Sequence, residues 1–188
     1  MTSEEVLQIF RETGALLDGH FLLRSGHHSR QFFQCALALQ EMSMVEKLGA
    51  GLSEHVRELG ATTVVAPAMG GLVIGQEVAR QLGIRFIFVE KENNTLALRR
   101  GFEIGVSEKI LIVEDVVTQG GRVRETMDIV REHGGDLVGI ALVVDRSNGK
   151  VDLGVPTFCL LQMEVETFDP SNLPEDMRNI PVTHPGSK

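Results

Sequence analysis

The densest concentration of chemistry in the sequence lies at residues 110–122. Four apolar residues, Ile110, Leu111, Ile112 and Val113, run straight into two adjacent carboxylates, Glu114 and Asp115, and then into Val116, Val117, Thr118, Gln119, Gly120, Gly121 and Arg122. The apolar run reads as a buried strand. Carboxylates at its end must face a ligand, a cation or solvent, because an unpartnered buried charge is costly. The Thr hydroxyl, the glycines and the free backbone N–H groups of the next loop stand at the positive end of a following helix, which holds an anion and most naturally a phosphate. Together the two halves suit a sugar phosphate, with ribose hydroxyls on Glu114 and Asp115 and the 5′-phosphate on the loop. The plainer alternative is an acidic turn that simply starts a helix. No Gly-x-x-x-x-Gly-Lys-Ser/Thr or Gly-x-Gly-x-x-Gly pattern supports a P-loop or dinucleotide site. Asp115 as a response-regulator phospho-acceptor fits the strand end but leaves the Thr-x-Gly-Gly unexplained.

The surrounding pattern supplies the elements that must position this turn. Apolar, β-branched runs at 62–66, 86–89, 110–113 and 138–144 read as strands. Amphipathic stretches at 72–82 and 122–133 read as helices, giving the order strand, helix, strand, strand, helix, strand. Continuous apolar strands alternating with helices indicate an α/β fold with a parallel sheet buried on both faces. Ligands bind such sheets beyond the carboxyl ends of the strands. Two glycine-bearing turns lie there: Pro67-Ala68-Met69-Gly70-Gly71 and the acidic loop. Upstream, Thr2 and Glu5 predict a capping box on a helix that buries Val6, Ile9 and Phe10 and stops at Gly14. The stretches 19–26 and 31–39 read as short strands and loops. Ser43 is placed to cap a helix running to Leu59, ended by Gly60. A last strand at 157–161 and a tail with Pro170, Pro174, Pro181 and Pro185 close the chain.

The chain has 188 residues, a net charge of −8, 20 glycines and two cysteines. That length predicts one domain, residues 1–188, with an N-terminal substrate region at 1–40, a core sheet at 60–165 and a tail at 166–188. No apolar run approaches the roughly 20 residues of a membrane-spanning helix. The start, Met-Thr-Ser-Glu-Glu, lacks the basic segment of a signal peptide, so a cytoplasmic location is expected. The acidity argues against a nucleic-acid surface. Cys35 and Cys159 give little support for a disulfide framework. His20, His27 and His28 match no metal-ligand spacing and read as structural or surface residues.

Residues 110–121 resemble the phosphoribosyl pyrophosphate signature of the type I phosphoribosyltransferases: four apolar, two acidic and two apolar residues, then Thr and glycine. Gly14-Ala15-Leu16-Leu17, Gly19-His20-Phe21, Leu23-Arg24-Ser25-Gly26, His28-Ser29 and Phe32-Phe33-Gln34 look like the substrate region of the orotate phosphoribosyltransferases. Ala66-Pro67-Ala68, Gly70-Gly71, Leu98-Arg99-Arg100-Gly101-Phe102 and Val144-Asp145-Arg146 extend the likeness, which runs from about Val6 to Leu161. The resemblance implies a type I phosphoribosyltransferase fold, a mostly parallel sheet flanked by helices with a small N-terminal hood. It also implies transfer of ribose phosphate from phosphoribosyl pyrophosphate to N1 of orotate, giving orotidine 5′-monophosphate and pyrophosphate in pyrimidine synthesis, with Mg2+ and as a homodimer.

Carried over residue by residue, the resemblance puts the ribose hydroxyls on Glu114 and Asp115. Thr118, Gln119, Gly120, Gly121 and Arg122 hold the 5′-phosphate, with Thr118 also near orotate, and Val116 and Val117 belong to the same phosphoribosyl pyrophosphate site. Arg146 grips the orotate carboxylate, Phe32 and Phe33 line the base pocket, and Arg24 stands near orotate and pyrophosphate. Lys91, with Mg2+ brought by the substrate, stabilises the leaving pyrophosphate, so Lys91 and Asp115 are the catalytic pair. No protein metal ligand is expected. Three departures stand out: Glu90-Lys91-Glu92-Asn93-Asn94 lacks the histidine of the usual mobile loop, Gly70 replaces a lysine found in some members, and Arg122 replaces a small hydroxyl residue. Arg99 and Arg100 are candidates for the missing positive charge. The alternatives are the same transfer to a purine or uracil, and a phosphoribosyl pyrophosphate sensor that has lost catalysis.

Overall fold

Helix α1 (Ser3–Glu12) opens on the capping box expected of it: Glu5 N–H donates to Thr2 Oγ1 at 3.3 Å and Thr2 N–H to Glu5 Oε2 at 2.7 Å. The computed structural model describes residues 1–23 and 26–184. Strands β1 (Leu16–Leu22) and β2 (His28–Phe33) pair antiparallel. Helix α2 (Cys35–Leu39) follows where the sequence suggested strand or loop: Cys-Ala-Leu-Ala-Leu packs three of its residues into the core within little more than one helical turn. Helix α3 (Met42–Val56) starts one residue before Ser43, which therefore does not cap it. The turn out of α2 makes Glu41 the N-cap, with the Met44 and Val45 N–H groups on its carbonyl. A 3-10 turn at Arg57–Leu59 ends at Gly60, in the left-handed conformation.

The central sheet contains β3 (Thr63–Pro67), β4 (Arg85–Glu92), β5 (Thr95–Leu98), β6 (Lys109–Val117), β7 (Asp136–Asp145) and β8 (Thr157–Gln162). Its order is β5-β4-β3-β6-β7-β8, all neighbours parallel except β4 and β5. Helix α4 (Gly71–Leu82) joins β3 to β4, and α5 (Gly121–Glu132) joins β6 to β7. Strand β5, absent from the sequence reading, forms because Asn93 and Asn94 both take positive φ (50° and 70°), the geometry of a two-residue hairpin turn, with Glu92 opposite Thr95. Strand β9 (Thr167–Phe168) joins β1 and β2 in a second sheet, and the chain continues through a short helix α6 (Glu175–Arg178).

Alternation along the strands divides the core between the two sheet faces. Val64, Leu111, Val113 and Val143 pack with residues of α1, α2, α3 and α4, while Val65, Ile110, Ile112, Ile140 and Leu142 pack with Val123, Met127, Ile129 and Val130 of α5. The strand order reverses at β3: its successor β4 lies on one side and β6 on the other. That reversal leaves a crevice at the carboxyl ends of β3 and β6, where a parallel sheet binds ligands. Among the described residues no helix is long and apolar enough to cross a membrane.

Candidate active site

Both glycine-bearing turns converge on that crevice. Glu114 and Asp115 are the sixth and seventh residues of β6, placed at its open end by the alternation that buries Leu111 and Val113 on one face and Ile110 and Ile112 on the other. Opposite them, the turn from β3 into α4 lies so close that a Cβ on Gly70 would stand 2.5 Å from Asp115 Oδ1, and one on Gly71 would stand 2.8 Å from the Val113 carbonyl oxygen. Only glycine permits this approach. The phosphate loop has the same requirement: Gly120 has φ +77°, and a Cβ there would meet Val151 Cγ1 at 2.8 Å.

Gly120 also serves as the N-cap of α5 and offers no side-chain cap, so the first N–H groups of the helix are left for a ligand. Residues 114–123 line a cavity of about 390 Å3. A larger hollow of about 900 Å3 beside β2 is lined by Asp18, Arg30, Glu164 and Glu166 among others. There Arg30 is already committed to Asp176 and Glu166 and lies over the Phe168 ring, so the hollow lacks the free donors of the β6–α5 turn.

The acid pair is electrostatically loaded. Glu114 is buried, and its carboxyl is pushed up to about 9 by loss of solvent and then by the adjacent Asp115 carboxylate; Arg122 pulls in the opposite direction. Glu114 Oε1 accepts from Asp115 N–H (3.1 Å) and Asp115 Oδ1 from Val116 N–H (2.8 Å). Neither carboxylate forms an ion pair among the described residues, which leaves their remaining oxygens for hydroxyl donors.

Arg146 reaches the same crevice from the end of β7. Its N–H donates to the Val117 carbonyl (2.8 Å), which ties it to the start of the phosphate loop. Its side-chain Nε is buried without a hydrogen-bond partner, and the desolvation lowers its proton affinity. A half-buried guanidinium with an unused donor can receive an acceptor. Sequence reasoning missed what holds it: Asp145 accepts from Ser147 N–H (2.8 Å), Ser147 Oγ (2.6 Å) and Gly149 N–H (2.8 Å), an Asx-type turn that fixes the loop carrying Arg146. The Asp-x-Ser-x-Gly spacing was the available signal.

The other expected residues are placed less uniformly. Lys91 is exposed on β4 opposite Leu96 and has no carboxylate partner among the described residues. Arg100 is held by Glu90 in a two-pronged contact (2.9 and 3.0 Å), and Arg99 by Glu92 (3.2 Å), so their charges are already matched within the hairpin. Phe33 is core, packed edge-on against Phe10 at 4.9 Å between centroids, which takes its ring out of a base pocket. Phe32, on the opposite face of β2, is half-buried beside Phe21. Arg24 lies outside the described residues. His20 and His28 touch each other (2.6 Å between ring nitrogens), and His20 also bonds the Ile180 carbonyl, a structural tie between the small sheet and the tail. Among the described residues no cluster of three or more His, Cys, Asp or Glu side chains is placed to hold a metal ion.

Comparison with known proteins agrees with this geometry. Residues 38–169 match the phosphoribosyl transferase domain family. The chain is 48% identical, over all 188 residues and 98% of the relative's length, to the orotate phosphoribosyltransferase of Desulforamulus reducens. It is 48% identical over all 188 residues to that of Chlorobaculum parvum, covering 97% of it. Among solved structures, the orotate phosphoribosyltransferase of Aeropyrum pernix superposes with a TM-score of 0.70 at 21% identity, covering 84% of this chain and 93% of that one. An adenine phosphoribosyltransferase from Thermoanaerobacter pseudethanolicus superposes with a TM-score of 0.62 at 18% identity, covering 71% and 88%.

Proposed function

This chain belongs to the phosphoribosyltransferase family, and we propose that it transfers the 5-phosphoribosyl group of phosphoribosyl pyrophosphate to N1 of orotate, forming orotidine 5′-monophosphate and pyrophosphate. The observation that carries the reading is the Glu114–Asp115 pair, buried and half-buried and without an ion pair among the described residues, beside a helix N-terminus that no side chain caps. The 5′-phosphate takes the N–H groups of Thr118, Gln119, Gly120 and Gly121, while the ribose hydroxyls donate to Glu114 and Asp115. Anchored at both places, the sugar presents C1 toward the orotate that Arg146 holds by its carboxylate, with Phe32 and Thr118 alongside. A guanidinium fork suits that planar anion.

As the C1–oxygen bond to pyrophosphate breaks, positive charge grows on the ribose ring, and N1 of orotate forms the new bond as its proton is released to water. Glu114 and Asp115 stabilise that charge and Lys91 stabilises the departing anion. The work is positioning and charge stabilisation, and no covalent enzyme intermediate is needed. Mg2+ fits this site as a passenger of the substrate. Among the described residues no cluster of three or more His, Cys, Asp or Glu side chains is placed to hold a metal ion, and the Glu114–Asp115 pair would lie nearest to an ion brought by the substrate; when bound, it would offset the negative charge of the leaving group.

The whole chain acts as one phosphoribosyltransferase domain, with 1–40 as hood, 60–165 as core sheet and 166–188 as tail, working in the cytoplasm as a homodimer. A competition assay offering orotate, uracil and adenine with phosphoribosyl pyrophosphate and Mg2+ tests the choice of base. Only orotate is consumed if Arg146 reads a carboxylate. Consumption of adenine or uracil in preference overturns it.

A further inference from the structure

Arg122 lies on the first turn of α5 beside the phosphate cradle, and its guanidinium reaches the facing turn: Nη1 donates to the Ala68 carbonyl, 54 residues away, at 3.2 Å. Ala68 belongs to the turn between β3 and α4 that lies against the acid pair. The side chain thus bridges the two turns that wall the crevice. It is exposed and forms no ion pair among the described residues, in contrast to Arg99 and Arg100. Its charge is felt by Glu114, which places it close to the acid pair. The facing turn supplies no cation at position 70, which is a glycine whose Cβ position lies 2.5 Å from Asp115 Oδ1.

We propose that Arg122 is a residue of the diphosphate subsite, swinging from the Ala68 carbonyl onto the C1 diphosphate of phosphoribosyl pyrophosphate, and does not serve the 5′-phosphate cradle from which it springs. The inference rests on the proposed reading of the site. A ribose with its hydroxyls on Glu114 and Asp115 and its 5′-phosphate on Thr118, Gln119, Gly120 and Gly121 turns its C1 substituent away from that loop, toward the β3–α4 turn. Arg122, rooted beside one phosphate and bonded to the Ala68 carbonyl of the facing turn, bridges that span. A single neutral carbonyl uses one of five guanidinium donors, so a multiply charged anion displaces it readily.

The test runs the transfer backward, from orotidine 5′-monophosphate and pyrophosphate, with wild-type protein, Arg122→Ser and Arg122→Lys, and checks thermal unfolding of each. The inference predicts that Arg122→Ser raises the KM for pyrophosphate about tenfold or more, the effect of losing a charged hydrogen-bond donor. The KM for orotidine 5′-monophosphate stays within about twofold, and Arg122→Lys restores part of the loss. A rise in the KM for orotidine 5′-monophosphate with pyrophosphate unaffected assigns Arg122 to the 5′-phosphate and overturns the proposal, as does a variant with unchanged constants. Calorimetric binding of inorganic pyrophosphate with Mg2+ to the same proteins separates this from the choice of base. Weaker binding by a folded Arg122→Ser supports the subsite even if orotate is not turned over, and equal binding refutes it.

Discussion

Replacing Glu114 by Gln separates the charge of this residue from its shape. Glu114 is 3% exposed and its carboxyl is pushed up to about 9, from an ordinary 4.5, by burial and then by Asp115. In the empty site near neutrality it is therefore protonated, and Gln reproduces its volume and its acceptor for the Asp115 N–H. The sign of the pH effect follows. Between about 4.5 and 9 the folded protein keeps a proton that the unfolded chain has lost, so this group's contribution to stability falls as pH rises, by up to 1.36 kcal/mol per unit. Between pH 6 and 8 wild type should lose stability that Glu114→Gln does not lose. Carboxylates held below their usual range by partners, such as Glu77 beside Arg80 and Glu90 beside Arg100, act in the opposite sense but identically in both proteins, and cancel in the difference. Urea unfolding of both proteins at the two pH values measures the quantity, and phosphoribosyl pyrophosphate kinetics at each pH reports the functional cost. The variant should already be more stable than wild type at pH 6, by a wider margin at pH 8, and impaired with the substrate, because a Gln cannot give up a proton to become the carboxylate that ribose hydroxyls bind. A variant destabilised at pH 6, or one that follows the wild-type pH slope, would refute the argument that Glu114 rests uncharged.

Other changes separate the parts of the site. Asp115→Asn should weaken use of phosphoribosyl pyrophosphate by about 1–3 kcal/mol in kcat/KM; near-wild-type kinetics removes Asp115 from the ribose site. Arg146→Ala should chiefly raise the orotate KM, and Arg146→Lys should rescue it poorly because an ammonium cannot form the two-pronged contact; an effect confined to phosphoribosyl pyrophosphate contradicts the assignment. Gly120→Ala should cost about 1–2 kcal/mol of stability from the left-handed backbone alone, with a raised KM for phosphoribosyl pyrophosphate as the loop shifts away from Val151; denaturant titration and kinetics on the same preparation check both.

Much of the fold could be read from the sequence because period and punctuation agreed. The runs at 62–66, 110–113 and 138–144 are apolar on both faces and became the buried parallel strands β3, β6 and β7, and Gly14, Gly60 and Gly83 closed their helices or turns in the left-handed conformation. Expectations failed where local pattern was weak. Cys35-Ala36-Leu37-Ala38-Leu39 is too short for a helical period to show, and β5 depends on the Asn93-Asn94 turn, whose residues fit loop and hairpin equally. The glycines do two different jobs. Gly70, Gly71 and Gly120 serve the site by close approach, whereas Gly14, Gly60, Gly83 and Gly134 end helices or turns. The acid pair and the phosphate loop are contiguous in the chain, so the sequence displayed them together. Pairings across the chain, such as Arg100 with Glu90, Phe33 with Phe10 and Arg122 with Ala68, depend on tertiary packing that no local spacing records.

The most direct measurement mixes the purified protein with phosphoribosyl pyrophosphate, Mg2+ and orotate, and follows orotate absorbance and pyrophosphate release together. The account predicts loss of orotate matched one for one by pyrophosphate, abolished when either substrate is omitted. A folded protein that binds phosphoribosyl pyrophosphate but leaves orotate untouched would contradict it.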